Sequence, residues 1–356
     1  MNISEVLSAE VSPAFEQKQE KGFFKGIILA VIAVVCSSCI MPFVNLYEDV
    51  PLAMIGVWRY QLNFLYCIPI TLYLWKKNKK SLDYNEIFTW TTLSEILIAA
   101  SLTCIGSTIS FVGSKETLVS HVTVLCNSGG VLLIIANIIM MIAVNRFEII
   151  GTCGVVVGII MLISDNSSKK LGGETNILYG DFLCIISMPM FTLAFIFNSR
   201  AIRKLPSLIV FHCFCLIQLC YFGVYCLTTY NVSTSELFSR DPQTGFFGWT
   251  QPQWLPLSTL VITPICGIIG VGSYIFMLDY FPVHIVAGMF LMKPFTAQIL
   301  GCILGQDGLP SLGTYVGTTI ISIGLGLTIF GSLKTQEEEI KKLEDYESLE
   351  MSLIEC

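Results

Sequence analysis

Residues 106–163, GSTISFVGSKETLVSHVTVLCNSGGVLLIIANIIMMIAVNRFEIIGTCGVVVGIIMLI, lie without a gap on residues 272–329, GSYIFMLDYFPVHIVAGMFLMKPFTAQILGCILGQDGLPSLGTYVGTTIISIGLGLTI. The offset pairs Gly106 with Gly272, Ser107 with Ser273, Leu125 with Leu291, Gly151 with Gly317, Thr152 with Thr318 and Gly158 with Gly324. Identities are few. What repeats is the order of apolar runs, short polar joints and glycines over three successive segments.

Each run is long enough to be a membrane helix, which needs about 20 mainly apolar residues to cross a hydrocarbon core roughly 30 Å thick. Ten such runs are predicted, near 24–46, 53–75, 89–112, 117–144, 147–164, 177–198, 206–230, 255–280, 283–304 and 309–333. The composition agrees: 54% hydrophobic and 13% charged residues, with a mean hydropathy of +0.72, exclude an ordinary soluble domain. Continuous apolarity over such lengths excludes the alternating strands of a membrane barrel. The expected fold is therefore all-α and integral to the membrane, with ten transmembrane helices. They divide into five-helix halves, 24–164 and 177–333, joined by a non-cytoplasmic loop at 165–176. Five is odd, so the second half enters the bilayer inverted relative to the first, an arrangement that places a substrate site near the midplane between repeats.

Lys and Arg set the orientation. Most lie on one side of the predicted spans, including Lys76, Lys77, Lys79, Lys80, Arg200, Arg203 and Lys204, whereas Lys115, Lys169, Lys170 and Arg240 lie on the other. Both termini are then cytoplasmic: an N-terminal tail over 1–23 and an acidic C-terminal tail over 334–356. Sequons at Asn166 and Asn231 fall on the non-cytoplasmic side, although one at Asn2 does not. No cleavable signal peptide is evident. A multi-pass protein of the plasma membrane or an endomembrane is expected, with the lipid bilayer as its surroundings. Its net charge of −6 resides largely in the C-terminal tail and gives no surface for nucleic acid. The fourteen cysteines show no metal-ligand spacing, so no metal and no cofactor are expected.

The run Ser273-Tyr274 through Phe281-Pro282, then Met292-Lys293-Pro294-Phe295, Gly305-Gln306-Asp307, Gly317 and Gly324, together with Pro51-Leu52-Ala53 and Arg59-Tyr60, resembles the EamA-type transporters of the drug/metabolite transporter superfamily. The resemblance covers about residues 24–333 and implies a ten-helix carrier. Two departures bear on substrate: Lys293 stands where the family usually has an acidic residue, and Asn127-Ser128-Gly129-Gly130 where a proline is common.

Lys293 is the most informative single residue, because a cation near the middle of a span costs about 2.5–3.5 kcal/mol unless it faces a cavity or a partner. It reads as an anchor for an anionic solute or as half of an ion pair with Glu95 or Asp279. Pro294 beside it is expected to bend the helix. Arg59 lies deep in the second span and reads as a substrate or gate contact, or as a link between helices. Asn127, the repeat partner of Lys293, shares a helix face with Ser120 and Thr123; Thr103, Ser107, Ser110 and Ser114 form a similar stripe. Such stripes line a path or bond helices together. Lys293, Asn127, Arg59, Thr123, Ser107 and Ser110 are the candidate substrate-binding set. Glu95 and His121 are candidates for ion coupling, with ordinary pairing or packing as the alternative. Pro42, Pro189 and Pro294 are candidate hinges. Gly154, Gly158, Gly313 and Gly317 have small-xxx-small spacing for helix packing, within the chain or in a homodimer. Trp249 and Trp254 read as interfacial anchors.

The expected function is that of a secondary carrier moving a small polar, anionic organic solute by alternating access, not an enzyme. The runner-up is an exchanger of nucleotide sugars or phosphorylated metabolites in an internal membrane. From other classes, a scaffold or a lipid-modifying enzyme remains open. Against the enzyme stand the histidines His121, His212 and His284, none with an acidic neighbour at i+3 or i+4.

Overall fold

The computed structural model describes residues 13–47, 49–78, 89–140, 144–164, 176–229, 233–281, 283–306 and 311–354. Its elements are α1 (Pro13–Ser38), α2 (Ile40–Val44), α3 (Leu52–Asn78), α4 (Trp90–Glu116), α5 (Val119–Asn127), α6 (Gly129–Ile139), α7 (Arg146–Ile163), α8 (Ile177–Lys204), α9 (Ser207–Thr229) and α10 (Thr234–Leu237). There follow α11 (Leu257–Val271), α12 (Gly272–Met277), α13 (Val283–Met289), α14 (Lys293–Ile303) and α15 (Leu312–Ile354). Among the described residues nine helices, counting those that run through a break, are long and apolar enough to cross a membrane. α3 is as long as any of them save α8 and α15 but carries Arg59, Gln61 and Asn63 in its first half, which lowers its apolarity. The chain is a multi-pass membrane protein, and its outward side chains, such as Val31, Phe182 and Leu260, are apolar, as a lipid-facing surface requires.

Three predicted spans are not single helices. The first breaks at Cys39, where Ser37 and Ser38 return their hydroxyls to the carbonyls of Ala33 and Val34. The fourth breaks at Ser128, between α5 and α6. The ninth breaks at a tight turn over Phe290–Met292, between α13 and α14. The second and third breaks answer each other at the offset of 166, which carries Asn127 and Ser128 onto Lys293 and Pro294. Pro294 therefore does not bend a continuous helix. It occupies the first turn of α14, where a missing N–H costs nothing and the fixed φ suits a helix start. Pro189 lies inside α8, which stays continuous from Ile177 to Lys204. α11 is wound wider than an α-helix, with i→i+5 bonding and Thr263 Oγ1 donating to the carbonyl of Ser258 at 2.7 Å. The C-terminal tail continues the last span as helix to Ile354.

Two helix pairs pack tightly along their length, α4 with α8 and α7 with α15. In the second, Asn145 caps α7, accepting from the Phe147 N–H at 3.1 Å while Glu148 bonds back to the Asn145 N–H at 3.2 Å. Glycines then let the two backbones meet. A Cβ on Gly151 would lie 2.4 Å from the Gly324 carbonyl oxygen, and one on Gly158 would lie 2.7 Å from that of Gly317. The offset of 166 exchanges these two contacts. Of the four glycines expected at close approaches, Gly158 and Gly317 make one. Gly154 is in ordinary contact with Gly324, at 3.6 Å from its Cα. Gly313 lies in the first turn of α15, its N–H bonded to Ser311 Oγ at 3.0 Å. The partner that the spacing missed is Gly151 with Gly324.

Gly151→Ala is expected to destabilise the protein by about 1–3 kcal/mol, since a backbone carbonyl cannot yield as a side chain can. Gly326→Ala, at a glycine with open space around its Cβ position, should leave the thermal unfolding midpoint unchanged or raised. Unfolding of both variants in detergent checks the contrast.

Candidate functional site

The three breaks and the wide-wound α11 converge on one cavity of about 160 Å³. At its floor the broken helices α5–α6 and α13–α14 meet, with Lys293 Nζ donating to Asn127 Oδ1 at 3.3 Å. Asn127 is itself held by donating from Nδ2 to the Thr123 carbonyl at 2.6 Å. Lys293 Nζ also lies 3.7 Å from the centroid of the Phe290 ring, a cation–π contact between residues three positions apart. All six residues predicted to bind substrate line this cavity: Lys293, Asn127, Arg59, Thr123, Ser107 and Ser110. Thr103 joins them, whereas Ser114 does not and bonds the Phe111 carbonyl at 2.8 Å. Ser120 has a side chain outside the described part.

Arg59 is buried, lies 5.2 Å from the Tyr60 ring centroid, and leaves its Nε without a hydrogen-bond partner. Among the described residues, no carboxylate forms an ion pair with Arg59 or Lys293. Both partners proposed for Lys293 are engaged elsewhere. Glu95 binds Lys204 at 2.8 and 2.9 Å, and Asp279 accepts from Ser207 Oγ at 2.5 Å. The cavity thus holds two basic side chains and no acidic one.

Its remaining wall was missed by the sequence reading. Phe195, Tyr274 and Phe290 pack ring against ring, with centroids 4.7 to 5.8 Å apart. Asn198 holds the Tyr274 hydroxyl at 3.3 Å. Phe111, Phe191 and Phe214 extend the apolar surface. Aromatic residues in apolar spans are so common that only their convergence distinguishes these.

The two coupling candidates lie outside the cavity lining. Glu95 sits near one end of the α4–α8 pair in its bond with Lys204. His121 sits at the other end, where Nδ1 is 3.1 and 3.2 Å from the two carboxylate oxygens of Asp181 and Thr117 Oγ1 donates to Asp181 Oδ1 at 2.6 Å. The absence of an acidic sequence neighbour was therefore misleading for His121: its acid is 60 positions away. His212 bonds Thr71 at 2.8 Å. Trp249 and Trp254, read as interfacial anchors, are both partly buried. Trp249 donates to Gln61 at 3.1 Å, and Trp254 packs on Tyr47 with ring centroids 4.9 Å apart. Pro42 is buried in α2, and its carbonyl accepts from Gln306 at 2.7 Å. The thirteen described cysteines are free thiols, and no metal-ligand cluster occurs among the described residues.

No family model matches the chain, and no curated protein matches it. Solved structures do match in fold. One, described only as the crystal structure of a protein, superposes with a TM-score of 0.59 at 15% identity, covering 86% of this chain and 98% of its own. At that identity the likeness speaks for the fold alone, and it extends over nearly the whole of both chains.

Two ion pairs at opposite ends of α4 and α8 should respond differently to removal. Glu95→Gln is expected to cost less than about 1 kcal/mol, because its lysine partner is largely solvated. Asp181→Ala should cost more, about 1–3 kcal/mol, since it leaves the buried Thr117 hydroxyl and His121 Nδ1 without their acceptor. Thermal unfolding of the two variants compares them.

Proposed function

We propose that this protein is a secondary carrier for a small organic anion, working by alternating access between two inverted five-helix repeats. The observation that carries the reading is the pair Lys293 and Arg59 in one cavity without a carboxylate between them. A basic group inside a membrane is retained where it has a counter-charge or water. A cavity that supplies cations and Asn127 but no acid is complementary to a carboxylate or phosphate, and the wall of Phe195, Tyr274 and Phe290 suits an apolar body attached to it.

The repeat gives the cavity its means of access. Asn127 meets Lys293, Gly151 meets Gly324 and Gly158 meets Gly317, contacts that the offset of 166 maps onto one another. A pseudo-twofold axis through the Asn127–Lys293 crossing accounts for all three. In this reading α3 is the tenth span, its polar first half turned toward the cavity, and both termini lie in the cytoplasm. Substrate sites at the midplane of broken helices are the usual product of such symmetry. Membership of the drug/metabolite transporter superfamily is proposed on the same residues that carry the resemblance. Between the two carrier readings, the cavity of about 160 Å³ favours a small solute. It is below the roughly 300–1,000 Å³ of clefts that take drug-sized ligands, and a nucleotide sugar would demand a large expansion. The enzyme reading gains a His–Asp pair, but that pair is buried away from the cavity.

Liposomes containing the purified protein, offered labelled benzoate, phenylphosphonate and a nucleotide sugar, test the proposal. Uptake of the first two is expected. Lys293→Ala should slow it by about ten-fold to a hundred-fold, the loss of a charge-assisted hydrogen bond, and Lys293→Arg should retain more than Lys293→Ala. Uptake that Lys293→Ala leaves unchanged removes Lys293 from the site. No uptake of any anion removes the anion carrier.

A further inference from the structure

The Thr117–His121–Asp181 cluster is built like a latch. Asp181 is the fifth residue of α8, Thr117 lies in the turn from α4 to α5, and His121 lies in the first turn of α5. His121 is 1% exposed and Asp181 7%. Behind them the helices touch through glycines: a Cβ on Gly180 would lie 2.8 Å from the Gly113 carbonyl oxygen and from the Thr117 nitrogen. The other titratable groups described at this end are Lys115 and Glu116 on α4, Tyr179 on α8 and, further inward, Cys184 on α8 and Cys126 on α5. Glu116 is occupied, accepting from the Asn176 N–H at 3.2 Å.

The atoms assign the proton chemistry. Asp181 accepts from the Thr117 hydroxyl; with its carboxylate ionised it accepts from His121 Nδ1–H as well, which leaves Nε2 to take a proton. Uptake forms one N–H bond at Nε2 and breaks none of the three contacts. The pair passes from a net charge of −1 to neutral. A neutral, fully hydrogen-bonded pair tolerates burial between helices, whereas a buried net charge is costly and draws in water. Protonation therefore favours the closed end, and the closure is lost as pH rises.

The latch is joined to the cavity by the same two helices. Below it Cys126 Sγ lies 3.1 Å from Ser187 Oγ across the α5–α8 seam. Further along, α5 supplies Thr123 and Asn127 to the cavity and α8 supplies Phe191, Ala194 and Phe195. α5 and α8 thus both run from the cluster to the cavity lining.

We propose that His121, Asp181 and Thr117 form a proton-binding site that holds one end of the cavity shut when occupied, and so couples solute movement to protons. The latch stands on its own geometry; the coupling rests on the carrier reading.

The protein has three histidines, so ring NMR signals of histidine-labelled protein in nanodiscs, assigned with His121→Gln, follow the proton directly. Spin labels at Lys115 and Tyr179, both exposed, report the separation of α4 from α8. As pH is raised from about 5 to about 9, the range in which imidazoles change charge, the label distance is expected to lengthen. In His121→Gln and Asp181→Asn the distance should no longer follow pH. A His121 signal fixed in one state, or a distance that responds to pH equally in both variants, overturns the latch. For coupling, phenylphosphonate uptake by liposomes with an imposed proton gradient, less that of protein-free liposomes, should change several-fold in the native protein and by less than about two-fold in His121→Gln. Uptake indifferent to the gradient overturns the coupling and leaves the carrier standing. A responsive latch without any anion uptake does the reverse.

Discussion

A lysine ammonium and an arginine guanidinium in the interior of a membrane bundle require something of everything around them. Insertion of either at mid-span costs a few kcal/mol even where the protein can adapt, and no described carboxylate offsets them here. Lys293 is supported instead by the Asn127 carbonyl oxygen and the face of Phe290. Phe290 and Lys293 are three positions apart, so they lie on one side of the chain where α13 gives way to α14. Pro294 costs nothing because a new helix starts beside it.

The scaffold holds this crossing in place by close backbone contact. α7 and α15 meet through Gly151, Gly158, Gly317 and Gly324, and α4 and α8 through Gly113 and Gly180. Between lipid-surrounded helices there is no hydrophobic drive to associate, so such packing and interhelical hydrogen bonds carry the association. The α4–α8 pair carries an ion pair at each end, whereas the α7–α15 pair adds to its glycine contacts the Thr335–Glu148 hydrogen bond and the Phe147–Phe330 ring contact.

Much of this was legible in the sequence, and the reasons are physical. Apolar length dictated the helices, and the offset of 166 pointed to Asn127 opposite Lys293. Helical spacing put Thr123 beside Asn127, and Ser107 and Ser110 beside each other. These signals are local or periodic. What escaped was nonlocal or irregular. Asp181 sits just past the first turn of its span, and nothing in the chain announces that it meets His121. Glu95 looked like a lone buried acid because Lys204 is 109 positions away. The breaks at Ser128 and Phe290–Met292 and the wide winding of α11 leave the apolar pattern intact, so a hydropathy reading passes over them.

The central claim is that the two cations in the cavity await an anion. Its most direct test is a structure of the protein with iodobenzoate, whose heavy atom and carboxylate can both be located. The account predicts the carboxylate within hydrogen-bonding distance of Lys293 Nζ or the Arg59 guanidinium, with the iodinated ring against Phe195 and Tyr274. A carboxylate held elsewhere in the protein, with Lys293 still on Asn127 and Phe290 in an otherwise unchanged cavity, would contradict it.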